Sequence, residues 1–156
     1  MMANSPFKDP QYYISRELSW LEFNQRVLDE ARDAKNPLLE RAKFLSITLS
    51  NLDEFFMVRV ASIKDQIQDG YDKPDPAGLT PKQQMKKISE RAHAMMKEIY
   101  SIYNRILLPQ LKKEGFHIVE VRELAKEDRR YLQELFETEV YPVLTPMAVD
   151  PSRPFP

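Results

Sequence analysis

The chain has 156 residues, of which 42% are hydrophobic and 30% are charged, and it contains no cysteine. This composition indicates a globular protein large enough for one sizeable core, and it excludes disulfide bonds and cysteine chemistry. The 23 basic and 24 acidic side chains leave a formal net charge of −1, so no overall field draws the chain to nucleic acid or anionic lipid.

The sequence contains no evident targeting signal. No window approaches the roughly 20 uninterrupted apolar residues of a membrane helix. The opening stretch, MMANSPFKDPQYYIS, lacks the basic start and the apolar core of a secretory signal. Together with the absence of cysteine, these features predict a cytoplasmic location with no transmembrane segment, and they leave open whether a longer protein associates with a membrane surface.

The first predicted helix lies in SRELSWLEFNQRVLDEARDA, residues 15–34. Leu18, Leu21, Leu28 and Ala31 recur near one side at spacings of three or four residues or their multiples, which is the pattern of an amphipathic helix. The pair Asn36-Pro37 then predicts a turn and a second helix start, because proline in the first helical turn has no amide to leave unpaired.

A second helix is predicted from Leu38 to about residue 67. Its apolar row runs through positions 38, 42, 45, 49, 52, 56, 60, 63 and 67. A flanking row contains Phe44, Ile47, Phe55 and Val58. Because the first row keeps its phase through Asn51, we predict one unbroken helix rather than a new helix capped at Asn51.

A third helix is predicted after the loop DGYDKPDPAGLTPK, which contains two glycines and three prolines. Thr80-Pro81 begins this helix, and methionine, isoleucine and alanine side chains hold one of its faces as far as Ile106. Pro109 predicts a kink or break near Leu107, with a C-terminal cap at Gly115.

The rest of the sequence predicts one more helix, so the predicted fold class is all-α. The alternating segment FHIVEV predicts at most a brief extended segment near residues 116–121, and KEDRRYLQELFETEV predicts a shorter fourth helix. We therefore expect a bundle of three long antiparallel helices plus a shorter C-terminal helix. The proline-rich end, residues 141–156, resembles the unfinished start of another domain.

No catalytic constellation is visible in the sequence. His93 and His117 are the only histidines and do not have the spacing of a metal-binding pair, and no glycine-rich phosphate loop is present. Both histidines are therefore expected to be ordinary surface or core-edge residues. Asp53 and Glu54 are adjacent on the predicted helix, so they point about 100° apart and are poor joint metal ligands. No catalytic or metal-binding residue is predicted.

Asn51 is the polar residue that needs explanation. It lies on the flanking apolar row of the second helix, where an unpaired buried amide destabilises the fold by about 1–3 kcal/mol. A neighbouring side chain or backbone group is one possible partner. A planar ligand is the other, because an Asn amide offers a donor and an acceptor side by side, as does the edge of adenine.

Three ordered motifs resemble the N-terminal domain of the bacterial polyphosphate kinase family. They are RELSWLEFNQRVLDEA (residues 16–31), NPLLERAKFL (residues 36–45) and SNLDEFFMVRVA (residues 50–61). The segment LTPMAVDPSRPFP (residues 144–156) is similar to the start of that family's next domain. The resemblance implies a helical polyphosphate kinase N-terminal domain in residues 1–120 and a truncated start of the middle or head domain in residues 121–156.

The resemblance also implies an activity for the full-length protein. Such enzymes reversibly transfer the terminal phosphate of ATP to inorganic polyphosphate through a phosphohistidine, with Mg²⁺, and work as homodimers. The phosphorylated histidine and the Mg²⁺ ligands lie in later domains, so this chain is expected to be an N-terminal piece that is inactive alone. Its partners would be ATP, polyphosphate and the other domains of the same chain, and no nucleic acid.

Asn51 is the residue whose role the resemblance specifies. The asparagine of the NLDEF motif contacts ATP on the adenine side in that family, whereas Asp53, Glu54 and Arg59 are interpreted as orienting or interdomain residues. The alternative is a docking or dimerisation scaffold, in which Asn51 only satisfies a buried hydrogen bond. A free-standing helical regulator of related ancestry is a third hypothesis.

Overall fold

The computed structural model describes residue 7, residues 9–147, and residues 149 and 152. Residues 1–6 and 8, which belong to the stretch in which no secretory signal was expected, lie outside these ranges. So do residues 148, 150, 151 and 153–156 of the expected start of another domain. The chain divides into two compact units, Met1–Phe116 and His117–Pro156. Among the described residues, no helix is both long enough and apolar enough to cross a membrane.

Five α-helices are found among the described residues of the first unit. They are α1 (Arg16–Arg32), α2 (Leu38–Phe55), α3 (Ala61–Gln68), α4 (Pro81–Ile102) and α5 (Leu108–Lys113). The predicted start at Thr80 is confirmed, because the hydroxyl of Thr80 accepts a hydrogen bond from Gln83 N–H while the Gln83 side chain accepts one from Thr80 N–H. The all-helical class is confirmed for the described residues, which contain no strand.

The long helices pack around one core. α1 and α2 run in opposite directions, since Arg41 bonds the Ala31 carbonyl near one end and Arg59 pairs with Glu17 near the other. α1 and α4 run in the same direction. The buried apolar side chains at the centre of this core are Leu21, Leu28, Ala31, Leu45, Leu52, Phe55, Val60, Ile63, Ile88, Met95, Ile99, Ile102 and Leu107.

A π-helical turn at Phe56–Val60 joins α2 to α3 without breaking the helix. The Ala61 N–H reaches the Phe56 carbonyl five residues back, which inserts one extra residue into the helical turn. The predicted unbroken helix is confirmed, but its predicted constant phase is wrong. Phe55 is 2% exposed and Phe56 is 42% exposed, so the buried phenylalanine is the one on the flanking row.

This extra residue decides which side chains enter the core. Buried positions recur every three or four residues along α2 as far as Phe55, and the next buried position is Val60, five residues on. A regular α-helix would have turned Arg59 toward the core instead. The π turn therefore places Val60 inside and leaves Arg59 at the surface of the bundle, where it pairs with Glu17.

A second π turn, Tyr103–Leu107, precedes Pro109. Proline has no amide hydrogen for a helical hydrogen bond. No break is found near Leu107, because the helix continues from the π turn through Pro109 into α5. The predicted cap is confirmed. Gly115 has a φ of 86°, and the Phe116 N–H bonds the Leu111 carbonyl at 2.9 Å, as in a Schellman motif.

The second unit is built around α6 (Lys126–Leu135), which is the predicted fourth helix. A π turn at Phe136–Val140 and a 3₁₀ turn at Tyr141–Val143 follow it. Residues 116–120, where a brief extended segment was predicted, form no strand and no helix. None of the described side chains of this unit is buried, although Leu132, Leu135 and Phe136 lie on one side of the helix.

The π turn predicts that two adjacent phenylalanines contribute very differently to the free energy of unfolding. Phe55→Ala should lower the free energy of unfolding by about 3–5 kcal/mol, because it removes a buried ring and leaves a cavity. Phe56→Ala should lower it by less than about 1 kcal/mol. Urea denaturation of the two variants measures both values. A larger loss for Phe56→Ala would show that the helix keeps a constant α-helical phase.

An ion pair links α1 to α4 and gives a pH-dependent expectation. Arg91 donates to both carboxylate oxygens of Glu22, at 2.6 and 3.2 Å. The hydrogen bond from Arg91 is the main reason that the pKa of Glu22 is lowered, and Glu22 in turn raises the pKa of Arg91.

Glu22→Gln should therefore lower the free energy of unfolding only at pH values at which the Glu22 carboxylate is charged. Because the pKa of Glu22 is lower in the folded state, the charged carboxylate stabilises the fold at pH values above the unfolded carboxyl pKa of about 4.3. This stabilisation is lost as the pH falls through the lowered folded-state pKa. Since the pair is largely solvent-exposed, the loss at pH 7 should stay below about 1 kcal/mol. Urea titrations at pH 7 and pH 3 test this, and an equal loss at both pH values would contradict it.

Candidate functional site

A cavity of about 520 Å³ lies beside α1 and the α2 helix with its π turn. This volume falls within the roughly 300–1,000 Å³ of small-molecule sites. Its lining combines aromatic rings, an amide and charged side chains. The residues that line it are Arg16, Glu17, Ser19, Trp20, Phe23, Arg26, Asn51, Glu54, Phe55, Val58 and Arg59.

Aromatic rings form part of the cavity lining. Trp20 is half-buried and stacks on the buried Phe55, with ring centroids 4.5 Å apart and an interplanar angle of 4°. Phe23, one turn along α1, is 48% exposed, and the Arg26 guanidinium lies 5.7 Å from its ring centre. Exposed aromatic surface beside a cavity suits a flat ligand that packs against rings.

Asn51 contributes a polar group to the same cavity. The residue is half-buried, and its Nδ2 atom donates to Oδ1 of Asn24 at 3.0 Å. Within the described residues, Oδ1 of Asn51 accepts no hydrogen bond. One N–H and the carbonyl oxygen therefore remain for a ligand, and together they form the donor and acceptor pair that the edge of adenine requires.

The charged side chains of the cavity are only partly neutralised by one another. Arg59 donates to Glu17 at 3.0 Å, and this pair joins the π turn to the first turn of α1. Arg16 and Arg26 form no salt bridge with any carboxylate in the described part of the chain. With three arginines against two glutamates in its lining, the cavity favours a ligand that carries negative charge.

The structure separates the residues of the NLDEF motif into two groups. Asn51 and Glu54 line the cavity, together with Arg59 farther along the helix. Asp53 is exposed and does not line it. The acidic pair is thus divided between the cavity and the solvent, as expected for neighbours about 100° apart on a helix.

The two histidines lie outside the cavity lining. His93 is exposed on α4, and its Nδ1 atom lies 2.7 Å from the Ser89 carbonyl oxygen, one turn back. His117 is exposed in the second unit. Among the residues that the structure describes, no group of three histidine, aspartate or glutamate side chains is arranged to hold a metal ion.

The sequence pattern did not identify the α1 residues of this site, which include the lining residues Arg16, Trp20, Phe23 and Arg26 and the buried Asn24 behind Asn51. Asn24 is 0% exposed on α1, between the buried Leu21 and Leu28. The sequence spacing could have identified Asn24. An amide three residues after one core leucine and four before the next lies on the buried face of the helix, and it must therefore have a buried hydrogen-bond partner. The same reasoning that identified Asn51 would have found Asn24.

A second cavity has a different character. It measures about 280 Å³ and lies between α2 and the far end of α4 with α5. Its lining is mostly aliphatic and tyrosine side chains and includes no charged residue, so it lacks the orienting polar groups of the first cavity. The first cavity is therefore the stronger candidate for a nucleotide-sized ligand.

Comparison with known proteins places this helical unit in a described family. Residues 13–119 match the family described as the polyphosphate kinase N-terminal domain. The matched range includes every residue that lines the first cavity. The match covers more than half of the chain and includes most of the first unit.

Individual relatives agree with this match. The chain is 54% identical over 149 residues to a polyphosphate kinase of Bacillus cereus, covering 95% of this chain and 21% of that protein. It is 56% identical over 145 residues to one of Lactiplantibacillus plantarum, covering 93% and 20%. The crystal structure of polyphosphate kinase from Porphyromonas gingivalis superposes with a TM-score of 0.71 at 34% identity, over 90% of this chain and 20% of that one. The chain thus spans about one fifth of these relatives.

Proposed function

Because the chain belongs to the family of polyphosphate kinase N-terminal domains, we propose that it is the N-terminal part of a polyphosphate kinase. The full-length enzyme reversibly transfers the terminal phosphate of ATP to inorganic polyphosphate through a phosphohistidine. This chain corresponds to about one fifth of its relatives, and the phosphorylated histidine belongs to the remaining four fifths. We propose a cytoplasmic location, because the proposed activity uses ATP and ATP is available there.

Within that enzyme, the chain forms the wall of the ATP site that faces adenine. The observation that carries this proposal is the unused donor and acceptor of Asn51, at a cavity lined by Trp20 and Phe23. An adenine edge satisfies both groups of the amide, and its faces can pack against the rings. The structure thus leaves Asn51 partly free, rather than sealing it inside the bundle.

The phosphate chemistry is assigned to the rest of the enzyme. Phosphoryl transfer requires cations and donors placed around the transferred phosphate. Glu17 in the cavity is already paired with Arg59, and no metal-binding group is found among the described residues. We therefore assign the Mg²⁺ ligands and most polyphosphate contacts to other domains, and the chain alone is inactive.

The two units correspond to two domains in this proposal. Residues 1–120 form the helical N-terminal domain, and residues 121–156 begin the next domain. The support is the lack of any buried side chain among the described residues of the second unit. About forty residues with an amphipathic helix but no buried side chain do not form a stable domain, so the apolar side of α6 is expected to be covered by later parts of the enzyme.

A docking or dimerisation scaffold is the second candidate function. It is favoured by three consecutive apolar side chains on the π turn, Phe56, Met57 and Val58, which are 42%, 72% and 58% exposed. In this alternative, the exposed row packs against another subunit of a homodimer or another domain of the same chain. Asn51 would then serve only to bond Asn24.

The Asn51→Ala variant tests the adenine contact in a full-length enzyme that carries this chain as its N-terminal part. The KM for ATP should rise about threefold to tenfold, because one or two net hydrogen bonds are lost. Asn104→Ala is the matched control, since Asn104 is exposed on the second π turn and does not line this cavity. Lost assembly with an unchanged KM would instead support the scaffold.

The isolated chain should bind ATP only weakly. Without the phosphate and metal contacts, the dissociation constant should lie in the millimolar range, far above the micromolar values of complete sites. Calorimetry with ATP and Mg²⁺ measures it. Trp20 is the only tryptophan and lines the cavity, so its fluorescence reports adenine at this position. Submicromolar binding would show that the other domains are not needed.

A further inference from the structure

The buried amide of Asn24 forms a hydrogen-bonded chain that ends at the cavity. Its Nδ2 atom donates to the Thr48 carbonyl at 3.1 Å and contacts Sδ of Met95 at 3.7 Å. Its Oδ1 atom accepts the hydrogen bond from Nδ2 of Asn51 at 3.0 Å. Asn24 and Thr48 are both 0% exposed, so water does not compete for the bond between them.

The direction of every bond in this chain follows from the Thr48 carbonyl. A carbonyl oxygen only accepts, so Asn24 must turn Nδ2 toward it and Oδ1 away from it. That Oδ1 atom also only accepts, so Asn51 must turn its Nδ2 toward Asn24. Rotation of the Asn51 amide by 180° would bring two acceptor oxygens together. The amide of Asn51 is therefore held in one of its two orientations.

We propose that Asn24 is a positioning residue that fixes the Asn51 carboxamide and thereby makes the site select adenine over guanine. The inference rests on the proposed adenine contact. On its Watson–Crick edge adenine presents the N6 amino donor beside the N1 acceptor, whereas guanine presents the O6 acceptor beside the N1–H donor. A fixed Oδ1 acceptor with one N–H beside it matches adenine and faces O6 of guanine unfavourably. An amide that is free to rotate would accommodate either base.

Asn24→Leu removes the orienting acceptor without leaving a buried group unpaired. The Thr48 carbonyl keeps its bond to the backbone N–H four residues on within α2. Leucine is larger than asparagine, but it has the same branching and the same number of side-chain heavy atoms, and it suits the apolar surroundings. The half-buried Asn51 can bond water instead. We therefore expect this variant to fold, with a melting temperature within about 5 °C of the parent.

The test uses a full-length chimera in which this chain replaces the matching segment of the Bacillus cereus polyphosphate kinase. The ratio of kcat/KM for ATP to that for GTP should fall at least about fivefold in Asn24→Leu, the lower end of the discrimination of one base-edge contact. The KM for ATP should rise and that for GTP should fall. In the Asn51→Ala background, Asn24→Leu should change the ratio no further, because Asn24 acts through Asn51.

A matched control separates positioning from general packing. Gln84 is another buried amide bonded to a backbone carbonyl, that of Leu79, and it lies outside the cavity lining. Gln84→Met should leave the ATP to GTP ratio unchanged. Asn24→Asp keeps an oxygen facing Asn51, and burial favours its protonated form, which can still donate to Thr48. This conservative variant should retain most of the preference for ATP.

The outcomes distinguish this inference from the proposed function. An unchanged ratio in Asn24→Leu, with a reduced ratio in Asn51→Ala, overturns the positioning role and leaves the adenine contact standing. An unchanged ratio in both variants overturns the adenine contact itself. If Asn24→Leu does not fold, hydrogen exchange in the unsubstituted chain decides. The side-chain amide proton of Asn51 that bonds Asn24 should exchange more slowly than the same proton of a free asparagine side chain, and exchange at the free rate would overturn the inference.

Discussion

The carboxamide of Asn24 lies where three helical segments meet, and the orientation of the Asn51 amide at the cavity depends on its hydrogen bonds. It belongs to α1, bonds the Thr48 carbonyl and the Asn51 side chain of α2, and contacts Met95 of α4. An unpaired buried amide would destabilise the fold by about 1–3 kcal/mol. A shift of α1 along α2 would break these bonds, so they favour, together with the apolar core, the register in which the Asn51 amide faces the cavity.

The π turn at Phe56–Val60 is the second constraint on the site. One extra residue in the turn allows Phe55 and Val60 to lie in the core, while Arg59 remains outside and pairs with Glu17. The stack of Trp20 on Phe55 follows from the same geometry. A single backbone irregularity therefore places apolar residues inside and leaves charged residues around the cavity, which agrees with the frequent occurrence of π turns at functional sites.

The proposed function requires this cavity to recognise a base. The cavity offers aromatic surface, one amide with a free acceptor and a modest surplus of positive charge. Membership of the polyphosphate kinase N-terminal domain family, together with coverage of about one fifth of the relatives, agrees with a chain that contributes one wall of a larger site. Binding free energy from a base alone is small, so the phosphate contacts of other domains would decide the affinity.

Much of the fold could be predicted because helical periodicity and helix caps are local properties. The spacing of Leu21 and Leu28, the start at Thr80 and the end at Gly115 depend only on nearby residues, and each is found in the structure. Family membership could also be predicted, since ordered motifs persist in the sequence. Asn51 was identified by its polar side chain on an apolar row.

Tertiary structure alone decided which residues accompany Asn51. The choice between Phe55 and Phe56 as the buried ring depends on a π turn, and periodicity does not show this turn because apolar residues occupy both alternative rows. The partnership of Asn24 with Asn51 joins residues that are 27 positions apart, and the pair forms only when α1 and α2 pack. The sequence thus determined the helices and their polar residues, whereas packing decided which polar groups are paired and which remain free for a ligand.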